Sequence, residues 1–302
     1  MNLSIESPNT SKKPKCFLES MNTFSDKKIV ITGAASGIGK ALAIKFTDEG
    51  AHLILSDIDK VKLKQTQSEI ESMGNACHCY SIDVTSYASM VDFANQVINS
   101  HGDIDILINN AGVSLMDRIT DTDLNDFRWL MEINFWGVVH GVKAFLPSLM
   151  RREKAHIVNL SSILGLMSMP GQAAYNSSKF AVKGFTEALK MELSGTAIKV
   201  SCVHPGGVKT NIAKDARVGK VITSASRTRL IEEFNKLTYT TAEQAADQII
   251  KGIKNEKKRI MVGVDAKIAD VLVRLFPNKY ESLIGLEKRF QEAMDENNGL
   301  SQ

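Results

Sequence analysis

The sequence predicts an α/β protein with a single domain, built on a doubly wound parallel seven-stranded sheet that carries helices on both faces. Short apolar runs recur along the chain, each followed by a stretch with helical spacing, and no linker or internal repeat separates them. Such alternation is typical of βαβ units, in which helices cover both faces of a parallel sheet. In addition, the first apolar run ends in a glycine-rich turn. Together these features predict the fold class.

The predicted strands are the apolar runs themselves. They cover residues 28–33, 51–57, 76–83, 105–112, 156–162, 198–206 and 259–263. Apolar residues three and four positions apart predict the helices between them. These helices begin after the glycine turn and then cover residues 60–74, 86–100, 123–149, 173–194 and 241–255. The regular elements place one domain at residues 27–264.

Three segments depart from this alternation. Residues 1–26 are polar and lack the apolar centre of a signal peptide, so we expect a flexible extension. Residues 207–238 follow the sixth strand, where long excursions often form a lid over a substrate. Residues 265–302 are predicted to form a helical C-terminal extension with an apolar stripe at Ile268, Leu272 and Leu275. Core packing, a subunit contact and a membrane surface remain open for that stripe.

The composition argues against two classes of partner. The chain has 302 residues, of which 43% are hydrophobic and 24% charged, with a formal net charge of +3. These are ordinary values for a globular protein, and the charge is too small to indicate a nucleic-acid binder. Since no apolar run approaches the roughly 18–20 residues that span a bilayer, we expect no integral membrane segment.

The cysteines and histidines suggest neither a disulfide framework nor a metal. Four cysteines are too sparse for such a framework, which favours a reducing compartment and hence the cytoplasm. Cys77 and Cys79 lie in an alternating stretch and are interpreted as strand cysteines on one face. The six histidines are scattered without the spacing of metal-binding motifs. We therefore predict no metal.

The glycine-rich turn predicts a dinucleotide site. The sequence TGAASGIG (32–39) stands between an apolar strand and a helix, where glycines let the backbone approach a pyrophosphate. Asp57 ends the second strand, eighteen residues after Gly39. A carboxylate there can accept hydrogen bonds from ribose hydroxyls and repel a 2′-phosphate, which favours NAD over NADP. Lys60 and Lys62 are near enough in sequence to leave NADP open.

Tyr175 and Lys179 stand four residues apart in a predicted helix. They therefore share one helix face, and the ammonium is expected to lower the pKa of the phenol. Serines precede this pair at the end of the fifth strand, at positions 161 and 162. A tyrosine whose pKa is lowered in this way can exchange a proton with a substrate.

Several motifs in order along the chain resemble those of the short-chain dehydrogenase/reductase family, over roughly residues 27–263. They are TGAASGIG, the strand-end Asp57, Asp83 with Val84, NNAG at 109–112, Asn134, the serine with YxxxK at 175–179, and PGGVKT at 205–210. The resemblance implies a Rossmann-type fold and the interconversion of an alcohol and its carbonyl compound with a nicotinamide cofactor.

The resemblance also implies a role for each matching residue. Tyr175 corresponds to the catalytic acid/base and Lys179 to its partner, and Asn134 to the residue that holds a water in the proton relay. Ser162 is selected over Ser161 because it stands thirteen residues before the tyrosine. The implied cofactor-binding residues are Gly33, Ser36, Gly37, Ile38, Gly39, Asp57, Asp83, Val84, Asn110, Ala111, Gly112, Tyr175, Lys179, Pro205, Gly206, Val208 and Thr210.

The substrate class is indicated by the stretch ILGLMSMPG (163–171), which follows the serine. If this apolar stretch lines the pocket, Leu164 binds the substrate together with Ser162 and Tyr175, and a lipophilic or small neutral alcohol or ketone is favoured. Packing of these side chains into the core is the alternative. An NADPH-dependent carbonyl reductase and a non-catalytic dinucleotide-binding regulator also remain open as functions.

The predicted helices at 123–149 and 173–194 carry more apolar residues than one face requires: Trp129, Phe135, Trp136, Phe180 and Phe185. In the family that the sequence resembles, the corresponding helices pair across a dimer, often within a tetramer. We therefore expect a homodimer or homotetramer, with packing against the sheet alone as the alternative.

Overall fold

The computed structural model describes residues 24–219, 227–229, 231–232, 236 and 238–285. Seven parallel strands form the central sheet, in the order β7-β6-β5-β4-β1-β2-β3. They are β1 Lys28–Thr32, β2 His52–Asp57, β3 Cys77–Ser81, β4 Ile106–Asn109, β5 Ala155–Leu160, β6 Ile198–Pro205 and β7 Arg259–Val262. The predicted doubly wound parallel sheet is confirmed.

Helices cover both faces of this sheet. They are α1 Gly37–Asp48, α2 Lys60–Ser72, α3 Tyr87–His101, α4 Leu124–Met131, α5 Gly137–Leu149, α6 Ala173–Glu192, α7 Ala242–Lys254, α8 Val264–Leu275 and α9 Tyr280–Ile284. One apolar core contains Phe46 of α1 and Ile249 of α7, and another contains Phe93 of α3 and Phe145 of α5. The strands between them are buried on both faces, which explains their continuous Val, Ile and Leu runs.

The strand order reverses between β1 and β4. β1 pairs in parallel with β2 on one side and with β4 on the other, so Ile29 lies opposite Leu53 of β2 and Ile106 of β4. The segments that leave the two strands then turn to opposite faces of the sheet. In open α/β sheets such a reversal leaves a crevice at the carboxyl ends of the strands, where ligands bind.

The predicted long helix at 123–149 is interrupted. Between α4 and α5 lies one π-helical turn, Glu132–Trp136, whose central residue Asn134 is fully buried. Single π turns within α-helices are frequent at functional sites because they redirect one side chain and one carbonyl group. The 3.6-residue pattern of the sequence gives no sign of this insertion.

The C-terminal helix α8 packs through small residues. Ala266 and Ala269 are buried, whereas Ile268 and Leu275 of the predicted apolar stripe are 54% and 66% exposed. Of the alternatives for the stripe, packing into the core therefore does not hold for these two residues, because small residues fill the buried face. No helix in the described part of the chain is long and apolar enough to cross a membrane.

The described ends of the predicted lid are fastened by two short parallel strand pairs. Val208–Lys209 pairs with Thr240–Thr241, and Leu115–Met116 pairs with Arg217–Val218. Residues 220–226, 230, 233–235 and 237 of the lid lie outside the described residues, as do residues 1–23 and 286–302 of the predicted extensions.

Candidate active site

A cleft of about 620 Å³ opens at the carboxyl ends of the strands. The glycine turn after β1 lines one part of it, and Ser162, Tyr175 and Lys179 line another. Residues that the sequence places far apart thus share one cavity. It forms where the strand order reverses, as expected for an open parallel sheet.

Tyr175 and Lys179 lie on the first two turns of α6, which runs along this cleft. Both are buried, with 9% and 4% of their surfaces exposed. The Lys179 Nζ atom is 5.6 Å from the centroid of the Tyr175 ring and donates a 3.1 Å hydrogen bond to the carbonyl of Leu160. The ammonium is therefore held between the phenol and the end of β5.

Burial sets the proton affinities of this pair, and it overturns one expectation from the sequence. Desolvation raises the pKa of Tyr175 to about 12, while the Ser162 hydroxyl facing the phenol acts in the opposite direction. Desolvation also lowers the pKa of Lys179 to about 8. The phenol is thus harder to ionise than in water, because its removal from solvent outweighs the hydrogen bond with Ser162.

Ser162 stands at the end of β5 and is fixed through its backbone and its side chain. Its Oγ accepts a 3.1 Å hydrogen bond from the backbone N–H of Leu164, and its carbonyl oxygen lies 3.0 Å from Nδ1 of His204, which donates to it. The neighbouring Ser161 instead donates its hydroxyl proton to the carbonyl of Lys179, at 2.8 Å. Both serines line the cleft, but the Ser161 hydroxyl is committed to a backbone carbonyl, which leaves the Ser162 hydroxyl to face Tyr175. His204 is a positioning residue that the sequence analysis missed.

Asn134 uses its side chain to fasten the π turn to the strand-end segment beside it. Its Oδ1 accepts from the Val113 N–H at 2.8 Å, and its Nδ2 donates to the Val113 carbonyl at 2.9 Å and to the Ser178 hydroxyl at 3.1 Å. Both polar atoms of the Asn134 carboxamide are thus hydrogen-bonded within the protein. The implied role of Asn134 in holding a water stays a prediction.

The glycine turn is shaped for close backbone approach. Gly33 has φ +66°, and a Cβ built on it would lie 2.7 Å from the Cα of Ala111. A Cβ on Gly39 would overlap the carbonyl oxygen of Gly33 and the Nδ2 of Asn110. That Asn110 nitrogen donates to the carbonyls of Thr32 and Gly33, at 3.0 and 2.9 Å. Only glycine fits both positions, so the turn is locked in one conformation.

The end of the turn offers an anion-binding helix terminus. Ser36 caps α1 without a hydrogen bond from its side chain, and the first turn of α1 carries no acidic residue. Its backbone N–H groups thus face the cleft with the positive end of the helix dipole. Asp57 lies at the end of β2, where one carboxylate oxygen accepts from the Ala35 N–H at 3.0 Å. The turn and this carboxylate together fit the pyrophosphate and ribose of a dinucleotide.

The remaining predicted cofactor residues line the same cleft. Gly37, Ile38, Asp83, Val84, Ala111 and Gly112 lie toward the glycine turn, and Pro205, Gly206, Val208 and Thr210 follow β6. Val84 is buried, and its carbonyl lies 2.9 Å from Nδ1 of His140. Near Asp57, the ammonium of Lys62 pairs with Asp59 at 3.2 Å. Lys62 is thus directed to a carboxylate rather than left free beside the ribose position.

Asp265 of α8 supports the segment after β6. Its Oδ2 accepts a 2.6 Å hydrogen bond from the Gly207 N–H and lies against Gly206. No motif in the sequence marks this residue, since it stands within the C-terminal extension. The extension therefore takes part in building the cleft.

The outer part of the cleft is apolar. Leu164 is 7% exposed and lines the cleft with Met116, Met167 and Met169 of neighbouring loops. Tyr239, which directly follows the predicted lid, also lines this part, as do Ile268, Leu272 and Ile284 of the C-terminal helices. The structure thus brings the predicted apolar stretch after Ser162 to the cleft wall, and it adds residues from segments that the sequence analysis left without a role.

The histidines are not all scattered, contrary to the expectation from the sequence. His52, His78 and His101 come together away from this cleft, with one potential metal-binding atom of each within 4.8 Å of the others. They stand on two strands and a helix, so no local spacing marks them. Cys77 and Cys79 lie on one strand face, as predicted; both are free thiols, and their sulfurs are 3.9 Å apart in a thiol–thiol hydrogen bond.

The chain is similar to known proteins in both sequence and structure. Residues 27–219 match the family model of the short chain dehydrogenases. A putative oxidoreductase from Mycobacterium tuberculosis, SadH, is 38% identical over 275 residues, which covers 89% of this chain and 99% of the relative.

Solved structures show the same likeness. A short chain dehydrogenase/reductase from Burkholderia phymatum in complex with NAD is 29% identical, with a TM-score of 0.78, and the match covers 86% of this chain and 96% of the other. A metagenomic short-chain oxidoreductase in complex with NADP is 25% identical, with a TM-score of 0.65, covering 79% and 97% of the two chains.

Proposed function

Since the chain belongs to the short chain dehydrogenase family, we propose that it is an NAD-dependent oxidoreductase that interconverts an alcohol and its carbonyl compound. One observation carries the proposal. A buried tyrosine, Tyr175, faces Ser162 and stands one helical turn from Lys179, in a cleft that also contains the glycine turn. A non-catalytic dinucleotide sensor has no need for this combination of a proton donor, a hydroxyl and an amine.

The residues that would hold the cofactor follow from the geometry of the cleft. The glycine turn and the N-terminus of α1 suit the pyrophosphate, Asp57 the adenine ribose, and Asp83 with Val84 the adenine. The segment from Pro205 to Thr210, which lines the cleft and is supported by Asp265, would lie at the nicotinamide end. The nicotinamide, when bound, supplies the site that accepts or returns a hydride.

The chain itself handles the proton. In alcohol oxidation Tyr175 takes the proton from the substrate hydroxyl, and in carbonyl reduction it returns that proton to the oxygen. Ser162 donates a hydrogen bond to the reacting oxygen, which steadies the charge that develops there. Lys179 contributes positive charge near the phenol, and its flexible stem can also reach the nicotinamide ribose. Burial keeps Tyr175 protonated until that charge is in place.

The cleft wall favours a lipophilic substrate. Leu164, Met116, Met167 and Met169 line the space beside Ser162 and Tyr175. Unbranched, polarizable methionines adapt to different apolar shapes, so this wall suits a hydrophobic alcohol or ketone better than a sugar phosphate. We therefore propose a lipophilic secondary alcohol, or the corresponding ketone, as the substrate class.

Asp57 supports NAD rather than NADP. Its carboxylate accepts from the Ala35 N–H beside the glycine turn, where the adenine ribose of a bound dinucleotide would lie and a 2′-phosphate would be repelled. Lys62, which could offset that repulsion, pairs with Asp59. Among the structural relatives, the Burkholderia phymatum protein is in complex with NAD and the metagenomic oxidoreductase with NADP. NADP must therefore be tested in parallel.

The test is a panel of lipophilic, small neutral and sugar alcohols, and of their carbonyl compounds, followed by NAD(P)H absorbance with either cofactor. Wild-type protein is expected to turn over lipophilic members with NAD. Tyr175→Phe should lower kcat by at least about 100-fold while NADH binding persists, because the acid/base is lost. Tyr87→Phe, a surface tyrosine, serves as the matched control. Equal activity of wild type and Tyr175→Phe would refute the mechanism.

We also propose that the protein assembles as a homodimer, or as a tetramer built from it, through the open face of α5 and α6. Trp136 and Phe180 are 44% and 39% exposed there, whereas Trp129 is covered by the Arg217 guanidinium, 3.5 Å from its ring centroid. Trp136→Lys with Phe180→Lys should shift the mass measured by light scattering to that of one chain. An unchanged mass would exclude this face.

Free Cys77, Cys79 and Cys202 support a reducing compartment, and we propose the cytoplasm. Fractionation of cells that express the native protein tests this assignment. Recovery in a secreted or membrane fraction would contradict it.

A further inference from the structure

Three imidazoles meet at the end of the sheet opposite the cleft. His52 begins β2, His78 is the second residue of β3, and His101 ends α3. The strand β2 runs from His52 to Asp57, so the cluster lies about 16 Å from the cofactor side of the sheet. It has no part in the reaction proposed above. These three side chains are called the histidine cluster below.

The spacing within the histidine cluster suits a transition metal. The Nε2 of His52 and the Nδ1 of His101 are 3.4 Å apart, and the ring of His78 stacks with centroids 5.0 and 4.2 Å from those of His52 and His101. A tetrahedral zinc with Zn–N bonds of about 2.0–2.1 Å holds its ligand nitrogens about 3.4 Å apart. Small side-chain rotations bring His78, which is exposed, to the same spacing.

One of these histidines is already oriented by a second contact. The Tyr80 hydroxyl lies 3.0 Å from Nε2 of His101, so an Nε2–H that donates to it leaves the Nδ1 lone pair directed at His52. Metal-binding histidines commonly donate their other ring N–H in this manner, which fixes the tautomer. Tyr80 itself packs against Phe93 in the core, so this support is rigid.

The surroundings decide which metals fit. Three neutral imidazoles with an open fourth position for water suit Zn²⁺, Ni²⁺ or Cu²⁺ rather than Ca²⁺ or Mg²⁺, which require oxygen ligands. The pKa of His52 is lowered mainly by burial, then by His78 and by the charge of Lys28 on β1. That lysine would repel a cation. Cys77 and Cys79 point to the opposite face of β3 and cannot complete the site.

We propose that His52, His78 and His101 form a divalent transition-metal site that ties the start of β2 and β3 to the end of α3, with zinc as its metal. The site would stabilise the fold rather than catalyse a reaction. By mass action, zinc at about 100 times its Kd should raise Tm by roughly 5–10 °C for a domain of this size.

The test uses the full-length, metal-free protein with its cysteines reduced, titrated with zinc against a chromophoric chelator. One zinc per chain is expected at micromolar or lower Kd, and cobalt should give the visible bands of a tetrahedral site. His78→Ala removes an exposed ligand without disturbing the core, and should weaken zinc binding at least about tenfold. His140→Ala, a histidine outside the cluster, should bind as wild type does.

Two further variants distinguish zinc binding by the histidine cluster from binding by the nearby thiols, and they test the effect of the Lys28 charge. Cys79→Ser should leave zinc binding unchanged, and a loss there would move the site to the thiols and overturn the proposal. Lys28→Gln should tighten binding, because it removes the opposing charge. Equal zinc affinity of wild type and His78→Ala, or no saturable binding in the micromolar range, would also overturn it. None of these readouts depends on enzymatic activity.

Discussion

At the scale of single residues, burial rather than the nearest charge decides the ionisation of the catalytic pair. The phenol of Tyr175 and the amine of Lys179 are both enclosed, and each is pushed toward its neutral form. Such opposed shifts keep a proton on the tyrosine and leave the lysine ready to share one. A site of this kind becomes a better base only when positive charge enters it.

The depressed pKa of Lys179 predicts a pH dependence of stability. Its folded pKa of about 8 lies below the ordinary 10.5, so the unfolded chain binds more protons between these values and stability rises with pH there. The rise should be about 2–3 kcal/mol between pH 8 and 10, above which the raised pKa of Tyr175 opposes it. Urea unfolding should show this contribution in wild type and not in Lys179→Met.

Lys154→Met provides the control, since Lys154 is exposed and its loss should leave the pH dependence intact. If wild type and Lys179→Met change in parallel from pH 8 to pH 10, the amine is not desolvated as described.

At the scale of elements, the turn between β1 and α1 and the π turn between α4 and α5 are each held by one side chain. Asn110 donates to two carbonyls of the glycine turn, and Asn134 joins the π turn to the Val113 backbone. Buried backbone N–H and C=O groups need hydrogen-bond partners, and in these irregular segments the asparagine side chains supply them. Two irregular segments that line the cleft are thus fixed by side-chain hydrogen bonds.

The glycine turn gives a prediction for cofactor affinity. Gly39→Ala places a methyl group against the Gly33 carbonyl and the Asn110 amide, so the turn must open. We expect the Kd for NADH, measured by fluorescence titration, to increase at least about tenfold, equivalent to about 1.4 kcal/mol.

Gly184→Ala is the control, because no described atom lies within 4 Å of its added Cβ, in the middle of α6. It should keep the affinity and stabilise the helix by about 0.5–1 kcal/mol. Equal NADH affinity of Gly39→Ala and wild type would contradict the assignment of the turn.

At the scale of the whole molecule, the sheet buries two neutral histidines, one on β5 and one on the neighbouring strand β6. His156 of β5 lies 2.7 Å from the Ser201 hydroxyl, and His204 of β6 donates to Ser162. Burial lowers the pKa of each to about 4. The core thus depends on both rings staying uncharged.

This burial predicts acid sensitivity. Below the ordinary pKa of about 6.5, the unfolded chain binds protons that the folded chain refuses, so stability falls as pH drops from 6.5 to about 4. Each histidine contributes a loss of about 3 kcal/mol across that range. Denaturant unfolding of His156→Gln should show about half of this loss, whereas His140→Gln should show all of it. An identical decline in His156→Gln and wild type would rule out His156 as a source.

Much of the site could be predicted because its parts are local in sequence. The glycine turn, the strand-end Asp57 and the Tyr175–Lys179 pair each lie within one element or one turn. Periodicity gives those elements, and the parallel arrangement places their ends together. The family and the seven-stranded sheet that the sequence predicts are confirmed by the comparisons and the structure.

The sequence by itself determined the order of the elements, the family and the candidate catalytic and cofactor-binding residues, because those signals depend on neighbours along the chain. Only the tertiary structure decided the direction of the Tyr175 pKa, the support from Asp265 and the meeting of His52, His78 and His101. Desolvation and contacts across 20 residues or more depend on which surfaces the fold brings together, and no local pattern records them.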